Sequence, residues 1–476
     1  MLTPRNAASS FWTPFLFVNL TIYWRRMSEP AFPGTASLYH YRDDLPLSSS
    51  LTTRISTNPQ KTDHNPAKPL IVLGLESSCD DSSCSIVTSS RQILSLCTIS
   101  QHTINSSYGG VHPLAAQIAH SANIPRAIER CMEEAKVDWQ DIDAVAYTRG
   151  PGMKGCLGVG EMAAKGLASG LGKRLVGVHH MQAHALTPLL TESKPPRFPF
   201  LILLVSGGHT QLVLAEAVDT FKILLDTLDS KIGDAFEKSA RLLSLPSHRS
   251  KSPGSILEQY ASLPPLPPYD DKPEAALPIP LSMNEGASRL AFSFAGLLSA
   301  LDRSLPAMPT GVSPTTSDHQ PSLSVISSDM TPSNSSRLSS LTKKNLSEAD
   351  QREFSRLFQT AAIQHLTLKL TQAINSLEPS LRTRLDGLVI SGGVASNLYL
   401  RSKMGEMIER LDMGKDRKMS LFYPPIELCT DNAAMIAWTA ILRIQAGLES
   451  DPYDLPLRPK WSLEDLYDDI PGLTAT

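Results

Sequence analysis

The 476-residue chain has few cysteines, few aromatic residues, little net charge and no long apolar run. Six cysteines in a chain of this length do not form the dense pattern of a disulfide-stabilised domain, so we expect reduced thiols. No stretch of about 18 or more apolar residues occurs, which argues against a membrane-spanning helix. The formal net charge of -3 argues against a uniformly basic surface for nucleic acids, although a local basic patch is compatible with it.

The N-terminal region lacks acidic residues, since the first 28 positions contain no Asp or Glu. An apolar segment, 11–24, lies there between Arg5 and Arg25, and Ser and Thr are frequent further on. A basic, Ser-rich and acid-poor composition is typical of a mitochondrial transit peptide. A secretory signal is the alternative, but no clear small-residue cleavage site follows the apolar segment. We therefore predict that residues 1–68 form a targeting or disordered extension.

Apolar residues make up 41% of the chain, enough for the cores of two or three domains of roughly 150 residues each. Two segments share the pattern of an apolar run, a short polar turn and a second apolar run. They are PLIVLGLESSCDDSSCSIVTSS at 69–90 and FPFLILLVSGGHTQLVLAEA at 198–217. Each predicts a β-hairpin, and the recurrence indicates two lobes of related topology in an α/β protein. The similarity is one of pattern, not of residue identity.

Composition also marks two interruptions and one strong helix. The Pro-rich segment 246–283 predicts a loop with one short helix. The Ser-, Thr- and Pro-rich segment 303–345 has too little apolar surface to fold, so we predict a disordered insertion. The run CTDNAAMIAWTAILRIQAG at 429–447 predicts a helix that Thr430 or Asp431 caps and Gly447 ends.

Two histidines, His180 and His184, are four residues apart in a segment that predicts a helix. At this spacing both imidazoles lie on one helix face and can meet one ion, although the same spacing also occurs without a metal. The zinc-protease motif H-E-x-x-H needs a glutamate where Met181 stands, so we reject that interpretation. Asp431 is a candidate third ligand; alternatively, it only caps its helix. Two imidazoles and one carboxylate leave a divalent ion with positive charge and open positions for an anionic ligand.

The sequence Ser-Gly-Gly follows an apolar strand twice, at 206–208 and at 391–393. Glycine allows a ligand to approach the backbone closely, and free N–H groups in such a turn can bind an anion. Each turn also fits an ordinary tight connection, and neither is a Walker loop or a G-x-G-x-x-G motif. The repetition favours a nucleotide site, to which Asn397, predicted one turn into the following helix, could donate a hydrogen bond.

Eight motifs occur in one order between residues 69 and 447: LGLESSCDDSSCSIV, AYTRGPG, VHHMQAHA, LLVSGGHTQLVL, GDAFEKSARLL, FSFAGL, ISGGVASN and CTDNAAMIAW. Together they resemble the Kae1/Qri7/TsaD family of tRNA N6-adenosine threonylcarbamoyltransferases, and the N-terminal extension is most similar to the mitochondrial branch. The resemblance implies an α/β, actin-like fold of two RNase H-like lobes with a ligand cleft between them. It implies lobe I at 69–195, lobe II at 196–428, a helix at 429–450 that packs back toward lobe I, and a tail at 451–476.

The resemblance also implies the reaction. A threonylcarbamoyl group passes from L-threonylcarbamoyl-AMP, made by a separate synthase, to N6 of adenosine 37 in the anticodon loop of tRNAs that read ANN codons, giving t6A and AMP. The implied cofactor is one divalent ion per subunit, zinc or iron, bound by His180, His184 and Asp431. A homodimer in mitochondria, without membrane association, is implied as well. The implied substrate-binding residues are Leu204, Val205, Ser206, Gly207, Gly208, Glu237 and Asn397, and the implied catalytic residue is Asp81.

Three residues depart from the family pattern. Glu237 stands where the family has an Asp that contacts the ribose, and its longer side chain can still accept hydroxyl hydrogen bonds. Asp81 stands where many relatives have Glu, and we expect this carboxylate to shape the acyl site. Ser255 replaces the second Gly of a family PGG motif and hinders close backbone approach, so we expect no ordinary ligand contact there.

The anticodon loop requires basic groups around splayed bases. Basic candidates, each equally explained as a solvated surface residue, are Arg149, Lys154, Lys231, Lys238, Arg241, Arg401 and Lys403. Two other functions stay open on these residues. An actin-like ATPase or kinase is disfavoured because such enzymes hold magnesium with carboxylates, not imidazoles. A nucleotide-binding scaffold without turnover is favoured by Glu237 and Ser255.

Overall fold

The computed structural model describes residues 68–108, 110–246, 248, 251–269, 276–282, 285–305, 346–411, 418–448 and 450–469. The predicted extension 1–68, apart from its last residue, and the predicted insertion 303–345, apart from its first three residues, lie outside the described residues. Within these ranges the chain forms two five-stranded sheets with helices packed on them. No helix of the described ranges combines the length and apolarity needed to span a bilayer.

The first sheet is built from β1 (Ile71–Glu76), β2 (Asp81–Thr88), β3 (Ile93–Ser100), β4 (Ala144–Gly150) and β5 (Arg174–His179). Its strand order is β3-β2-β1-β4-β5. The pairs β1–β2 and β2–β3 are antiparallel, whereas β1–β4 and β4–β5 are parallel. The helices of this half are α1 (His102–Tyr108), α2 (Pro113–Ala135), α3 (Lys154–Leu171) and α4 (His180–Thr191).

The second sheet repeats this arrangement with β6 (Phe200–Val205), β7 (Thr210–Ala215), β8 (Phe221–Leu225), β9 (Gly387–Ser391) and β10 (Ser420–Phe422). Read from its other edge, the order β8-β7-β6-β9-β10 reproduces the first sheet strand by strand. The first two pairs are again antiparallel and the last two parallel. The duplicated topology confirms the α/β, actin-like fold of two related lobes. The helices of the second half are α5 (Ile232–Leu242), α6 (Pro253–Ser262), α7 (Glu285–Ser288), α8 (Ala295–Ser304), α9 (Glu348–Ser376), α10 (Pro379–Arg382), α11 (Leu398–Arg410) and α12 (Ile426–Cys429). The chain then continues into α13 (Ala433–Gln445).

The strand β6 is apolar at every position because both of its faces are covered. Leu201 and Leu203 pack into the core with α5 and α9. On the other face, Phe200 and Ile202 pack against Met181 of α4. The opposite side of α4 packs with α13 and the first sheet. The helix that carries both candidate histidines is therefore fixed between the two sheets.

The helix α13 packs directly on the first sheet at Gly74 of β1. A Cβ at this position would lie 2.5 Å from the carbonyl oxygen of Ala433 and 2.8 Å from the amide nitrogen of Ala437. Only glycine allows the two backbones to approach so closely. The predicted caps are wrong: Asn432 caps α13, since its Oδ1 accepts from the Met435 N–H at 3.1 Å. Asp431 is consequently free to serve another role.

Residues 450–469 pack against both sheets. Asp451 is buried and accepts from Arg443 of α13 at 3.0 Å. Glu464 accepts from the Ile223 N–H of β8 at 2.8 Å. Arg149 is fully buried, donates to the Pro456 carbonyl at 2.8 Å and forms an ion pair with Asp469. The expectation that Arg149 contacts tRNA is therefore wrong, because its guanidinium is already used inside the protein.

Candidate metal and nucleotide site

The histidine pair and Asp431 converge at the N-terminal end of α4. Nε2 of His184 lies 3.0 Å from Asp431 Oδ1, and Nε2 of His180 lies 3.4 Å from the same oxygen. The two ring centroids are 4.7 Å apart, and both histidines are buried. One potential ligand atom from each of the three residues lies within 4.8 Å of the other two. Among the described residues, this is the one group of three or more His, Cys, Asp or Glu with that geometry.

The spacing of these atoms fits a bound divalent cation. Nitrogen and oxygen ligands lie about 2.0–2.2 Å from zinc, so neighbouring ligand atoms in one coordination shell are roughly 3–3.5 Å apart. The two nitrogen–oxygen distances, 3.0 and 3.4 Å, fall in that interval. His179, the third histidine of this segment, faces elsewhere, since its Nδ1 accepts from the Met181 and Gln182 N–H groups.

A fourth side chain, Glu76, contacts the histidine pair from the end of β1. Its carboxylate is fully buried, and Oε2 lies 3.0 Å from Nδ1 of His180. Thr148 donates to the same oxygen at 2.6 Å, and the Ser78 N–H donates to Oε1 at 2.5 Å. The cluster therefore contains two carboxylates, one on each side of the His180 ring.

The charges in this cluster stabilise one another. Burial lowers the pKa of His180, but the carboxylates of Asp431 and Glu76 outweigh it and hold this pKa well above its usual value. Burial also raises the pKa of Asp431, yet His180 and His184 bring it well below the ordinary range. The pKa of Glu76 is likewise lowered by His180 against the effect of burial. The pocket thus favours a positive charge between two carboxylates, which is what a cation also provides.

The first Ser-Gly-Gly turn lies between β6 and β7. Ser206 Oγ accepts from the N–H groups of Gly208 at 3.2 Å and His209 at 3.0 Å. Gly207 and Gly208 are exposed, and a Cβ at either would meet no atom within 4 Å. A ligand can therefore approach this backbone. The predicted residues Leu204 and Val205 are fully buried and belong to the central strand β6, where they pair with Gln211 and Thr210 of β7.

The second Ser-Gly-Gly turn follows β9, the parallel neighbour of β6. Gly392 has a φ of 99°, and a Cβ there would lie 2.4 Å from the Val205 carbonyl oxygen. The two turns are therefore in contact, as expected for loops at the same ends of adjacent parallel strands. The N-terminus of α5 meets the first turn as well, since the Gly233 N–H donates to the Ser206 carbonyl at 3.2 Å.

The remaining predicted residues lie at different depths. Glu237 on α5 is half-buried, with its Oε2 3.5 Å from Arg241 Nη2, and burial raises its pKa. Asn397 does not lie one turn into its helix: it caps α11, accepting from the Leu400 N–H at 2.8 Å and donating to Gln359 at 2.9 Å. Its polar groups are thus already used within the protein. Ser255 lies in the first turn of α6, where its N–H donates to Ser252 Oγ at 3.3 Å.

Asp81 begins β2, next to the turn that follows Glu76. Its Oδ1 is buried and has no hydrogen-bond partner among the described residues. Burial raises the pKa of Asp81 to about 7, and the negative charges of Asp431 and Glu76 act in the same direction. A carboxyl group with this pKa can exchange a proton near neutral pH.

Comparison with known proteins decides the family. Residues 92–438 match the family model TsaD, described as tRNA N6-adenosine threonylcarbamoyltransferase. The chain belongs to this family. The "probable tRNA N6-adenosine threonylcarbamoyltransferase, mitochondrial" of Arabidopsis thaliana is 34% identical over 429 residues, 88% of this chain and 80% of the plant protein. The tRNA N6-adenosine threonylcarbamoyltransferase of Neisseria gonorrhoeae (strain ATCC 700825 / FA 1090) is 33% identical over 404 residues, 83% of this chain and 99% of the bacterial protein.

The resemblance inferred from the eight motifs is thereby confirmed. A solved structure, component A of the (R)-2-hydroxyglutaryl-CoA dehydratase of Acidaminococcus fermentans, aligns with a TM-score of 0.40 and 12% identity, covering 78% of this chain and 96% of its own. That likeness is too weak to bear on the fold, which the strand order of the TsaD-family chain establishes.

Two residues of this TsaD-family chain were missed by sequence reasoning. Glu76 is a single acidic residue at the end of an otherwise apolar strand, and that position was the available signal. His209 follows the first Ser-Gly-Gly turn. Burial, together with the nearby charges of His180 and His184, lowers the pKa of His209 to about 3. The first Ser-Gly-Gly turn is therefore followed by a histidine that burial and the charges of His180 and His184 keep neutral.

Proposed function

We propose that His180, His184 and Asp431 bind one divalent cation and that the chain uses this site to transfer threonylcarbamoyl from L-threonylcarbamoyl-AMP to N6 of adenosine 37 in tRNA. Membership of the TsaD family establishes the class of enzyme, a tRNA N6-adenosine threonylcarbamoyltransferase that forms t6A. The convergence of the three ligand atoms beside an open Ser-Gly-Gly turn supports this assignment of the site. An actin-like ATPase or kinase is not favoured, because the named relatives transfer a threonylcarbamoyl group to tRNA adenosine, not a phosphoryl group.

We place the donor between the histidine cluster and the turn. When bound, the cation would offset the charge of the adenylate phosphate and polarise the carbamoyl carbonyl. The backbone of Gly207 and Gly208 offers the phosphate a close approach without side-chain obstruction. Glu237 and Asn397 are proposed to contact the nucleoside; for Asn397 this requires a hydrogen-bonding position beyond those it already uses.

The proposed chemistry is a single acyl transfer. The adenine amine is a weak nucleophile and must be held against the carbonyl carbon. The N6–C bond forms while the C–O bond to the phosphate of AMP breaks, and AMP leaves with the electron pair. We assign the departing N6 proton to the carboxylate of Asp81. No Ser or Cys nucleophile is required.

The direct test combines activity with metal analysis. Purified protein is incubated with L-threonylcarbamoyl-AMP and unmodified tRNA, and t6A is measured by mass spectrometry. His180→Ala should bind less metal and lose about 10²-fold in rate, because a cation that polarises the acyl group acts at the developing charge. His102→Ala, at an exposed histidine beginning α1, is the matched control.

A His180→Ala protein that retains full activity without metal would overturn the metal assignment. Two imidazoles and a carboxylate suit both zinc and iron. Metal analysis of the wild-type protein therefore serves to identify the cation.

We propose that the active species is a homodimer formed through helices of the first half. Exposed apolar side chains occur on α1, the loop after it, α2 and α3: Tyr108, Val111, Leu114, Ile118 and Met162. A run of exposed apolar groups of this kind is typical of a protein interface. A second copy is the proposed occupant because most soluble oligomers are symmetric homo-oligomers.

We further propose a mitochondrial location, supported by the composition of the first 28 residues and by the mitochondrial designation in the name of the Arabidopsis relative. The full-length chain with a C-terminal fluorescent tag should colocalise with a mitochondrial marker. Removal of residues 1–68 should abolish that distribution, and an unchanged distribution would contradict the proposal.

A further inference from the structure

We infer that Glu76 is a positioning residue that fixes the tautomer and ring orientation of His180, so that Nε2 of this histidine faces the cation. The inference rests on the proposed metal site. Oε2 of Glu76 lies 3.0 Å from Nδ1 of His180. The other ring nitrogen, Nε2, lies 3.4 Å from Asp431 Oδ1. The Ser78 hydroxyl also lies 3.4 Å from Nδ1, farther than the carboxylate. Nδ1 therefore faces the buried carboxylate first, and Nε2 faces the ligand carboxylate.

A neutral imidazole carries one N–H, and the acceptor at one nitrogen decides where the proton resides. With Glu76 at Nδ1, the N–H points to the carboxylate and the lone pair of Nε2 is directed to the Asp431 side. A carboxylate behind a metal-ligating histidine also makes the ligand nitrogen more basic. Glu76 is thus placed to increase the affinity of the site without touching the cation.

The carboxylate can act in this way because the first sheet holds it rigidly. Glu76 is the last residue of β1 and is 0% exposed. Thr148 of the neighbouring strand β4 donates to Oε2 at 2.6 Å. The N–H of Ser78, in the turn after β1, donates to Oε1 at 2.5 Å. Neither oxygen can rotate away from His180 without breaking a hydrogen bond to the sheet or the turn.

The second histidine lacks an equivalent support. Nδ1 of His184 is buried and has no hydrogen-bond partner among the described residues. Packing holds its ring, whereas a carboxylate fixes the ring of His180. The two histidines therefore differ in what holds their rings in place. Loss of Glu76 should affect the site through His180.

The test measures metal affinity. Glu76→Gln keeps the size of the side chain but removes its charge, and its amide can donate as well as accept. Competition with a chelator should show about 10–100-fold weaker binding of Co²⁺ or Zn²⁺ to this variant. Glu353→Gln is the matched control, since Glu353 is a buried carboxylate on α9 that pairs with Arg356 at 2.5 Å. The control should bind metal as the wild-type protein does.

Two further measurements separate positioning from general stability. The absorption spectrum of bound Co²⁺ should change in Glu76→Gln, because the coordination geometry changes, but not in Glu353→Gln. Thr148→Val removes one hydrogen bond from Glu76 and should weaken metal binding in the same direction to a smaller extent. It also carries the test if Glu76→Gln does not fold.

Metal affinity within twofold of wild type in Glu76→Gln, with an unchanged Co²⁺ spectrum, would overturn the inference while leaving the metal site intact. A wild-type protein that binds no cation would overturn the proposed site itself. The two failures are therefore distinguishable.

Discussion

At the scale of single residues, Asp81 should set the acidic limit of the reaction. Burial raises its pKa to about 7, and only the deprotonated carboxylate can accept the N6 proton. We therefore expect kcat/KM to fall about tenfold for each pH unit below 7. Asp81→Asn should be slow at every pH and should lack this dependence, which a pH series of t6A formation measures.

Asp81→Glu is the matched variant, because it keeps a carboxylate at this position. Its kcat/KM should still fall at low pH, and the variant should retain much of the wild-type rate. If kcat/KM of Asp81→Asn falls at low pH as in the wild-type protein, the titrating group lies elsewhere in the site and the proton assignment is wrong.

The single-residue predictions from sequence succeeded where spacing alone decides geometry. Residues four apart on a helix share a face, so the meeting of His180 and His184 could be predicted. The approach of Asp431 depends on how α13 packs on the first sheet, more than 200 residues along the chain. The sequence made Asp431 a candidate ligand or a helix cap, and the family resemblance favoured the ligand. Asn397 was misplaced by one helical turn because Asn is also a strong helix cap, a role that local sequence does not distinguish from ligand binding.

At the scale of elements, the contact between β1 and α13 should control both stability and the proposed metal site. A Cβ added at Gly74 would lie 2.5 and 2.8 Å from backbone atoms of α13, which cannot move aside as a side chain can. Gly74→Ala should therefore destabilise the protein by about 1–3 kcal/mol. It should also weaken metal binding, because Asp431 lies two residues before α13. Thermal unfolding and chelator competition measure the two effects.

Gly166→Ala is the control for this substitution. Gly166 is an exposed residue inside α3, and a Cβ there would meet no atom within 4 Å. This variant should be as stable as the wild-type protein or up to about 1 kcal/mol more stable, because alanine favours a helix. Equal stability of the two variants would contradict the proposed close contact.

The elements themselves were largely predictable, whereas their mutual contacts were not. The two hairpins follow from apolar runs interrupted by short polar turns, and the strands β1–β2 and β6–β7 confirm them. The start of α13 was misassigned because Thr430, Asp431 and Asn432 are all good caps in sequence. The packing of residues 450–469 against both sheets had no periodic pattern that could have predicted it.

At the scale of the whole molecule, the duplicated strand order explains where the site lies. In each lobe the parallel strands end at one edge, and loops at such an edge are the usual place for ligands in α/β folds. The first lobe supplies Glu76 and Asp81 there, and the second supplies its two Ser-Gly-Gly turns. The helix α4 is packed between the sheets and carries the histidines, so the proposed site depends on its position.

The assembly of two such molecules can be tested on α2. Ile118 is 63% exposed, and in the proposed homodimer it is buried against the second copy. Ile118→Glu would place a charge in that apolar interface, which is costly without a partner. We expect the wild-type protein to have the mass of a dimer by light scattering and Ile118→Glu to have that of a monomer. Leu290→Glu, at a 42% exposed apolar residue of the second lobe, should remain a dimer. A wild-type monomer, or a dimer that Ile118→Glu leaves intact, would show that this surface does not join two copies.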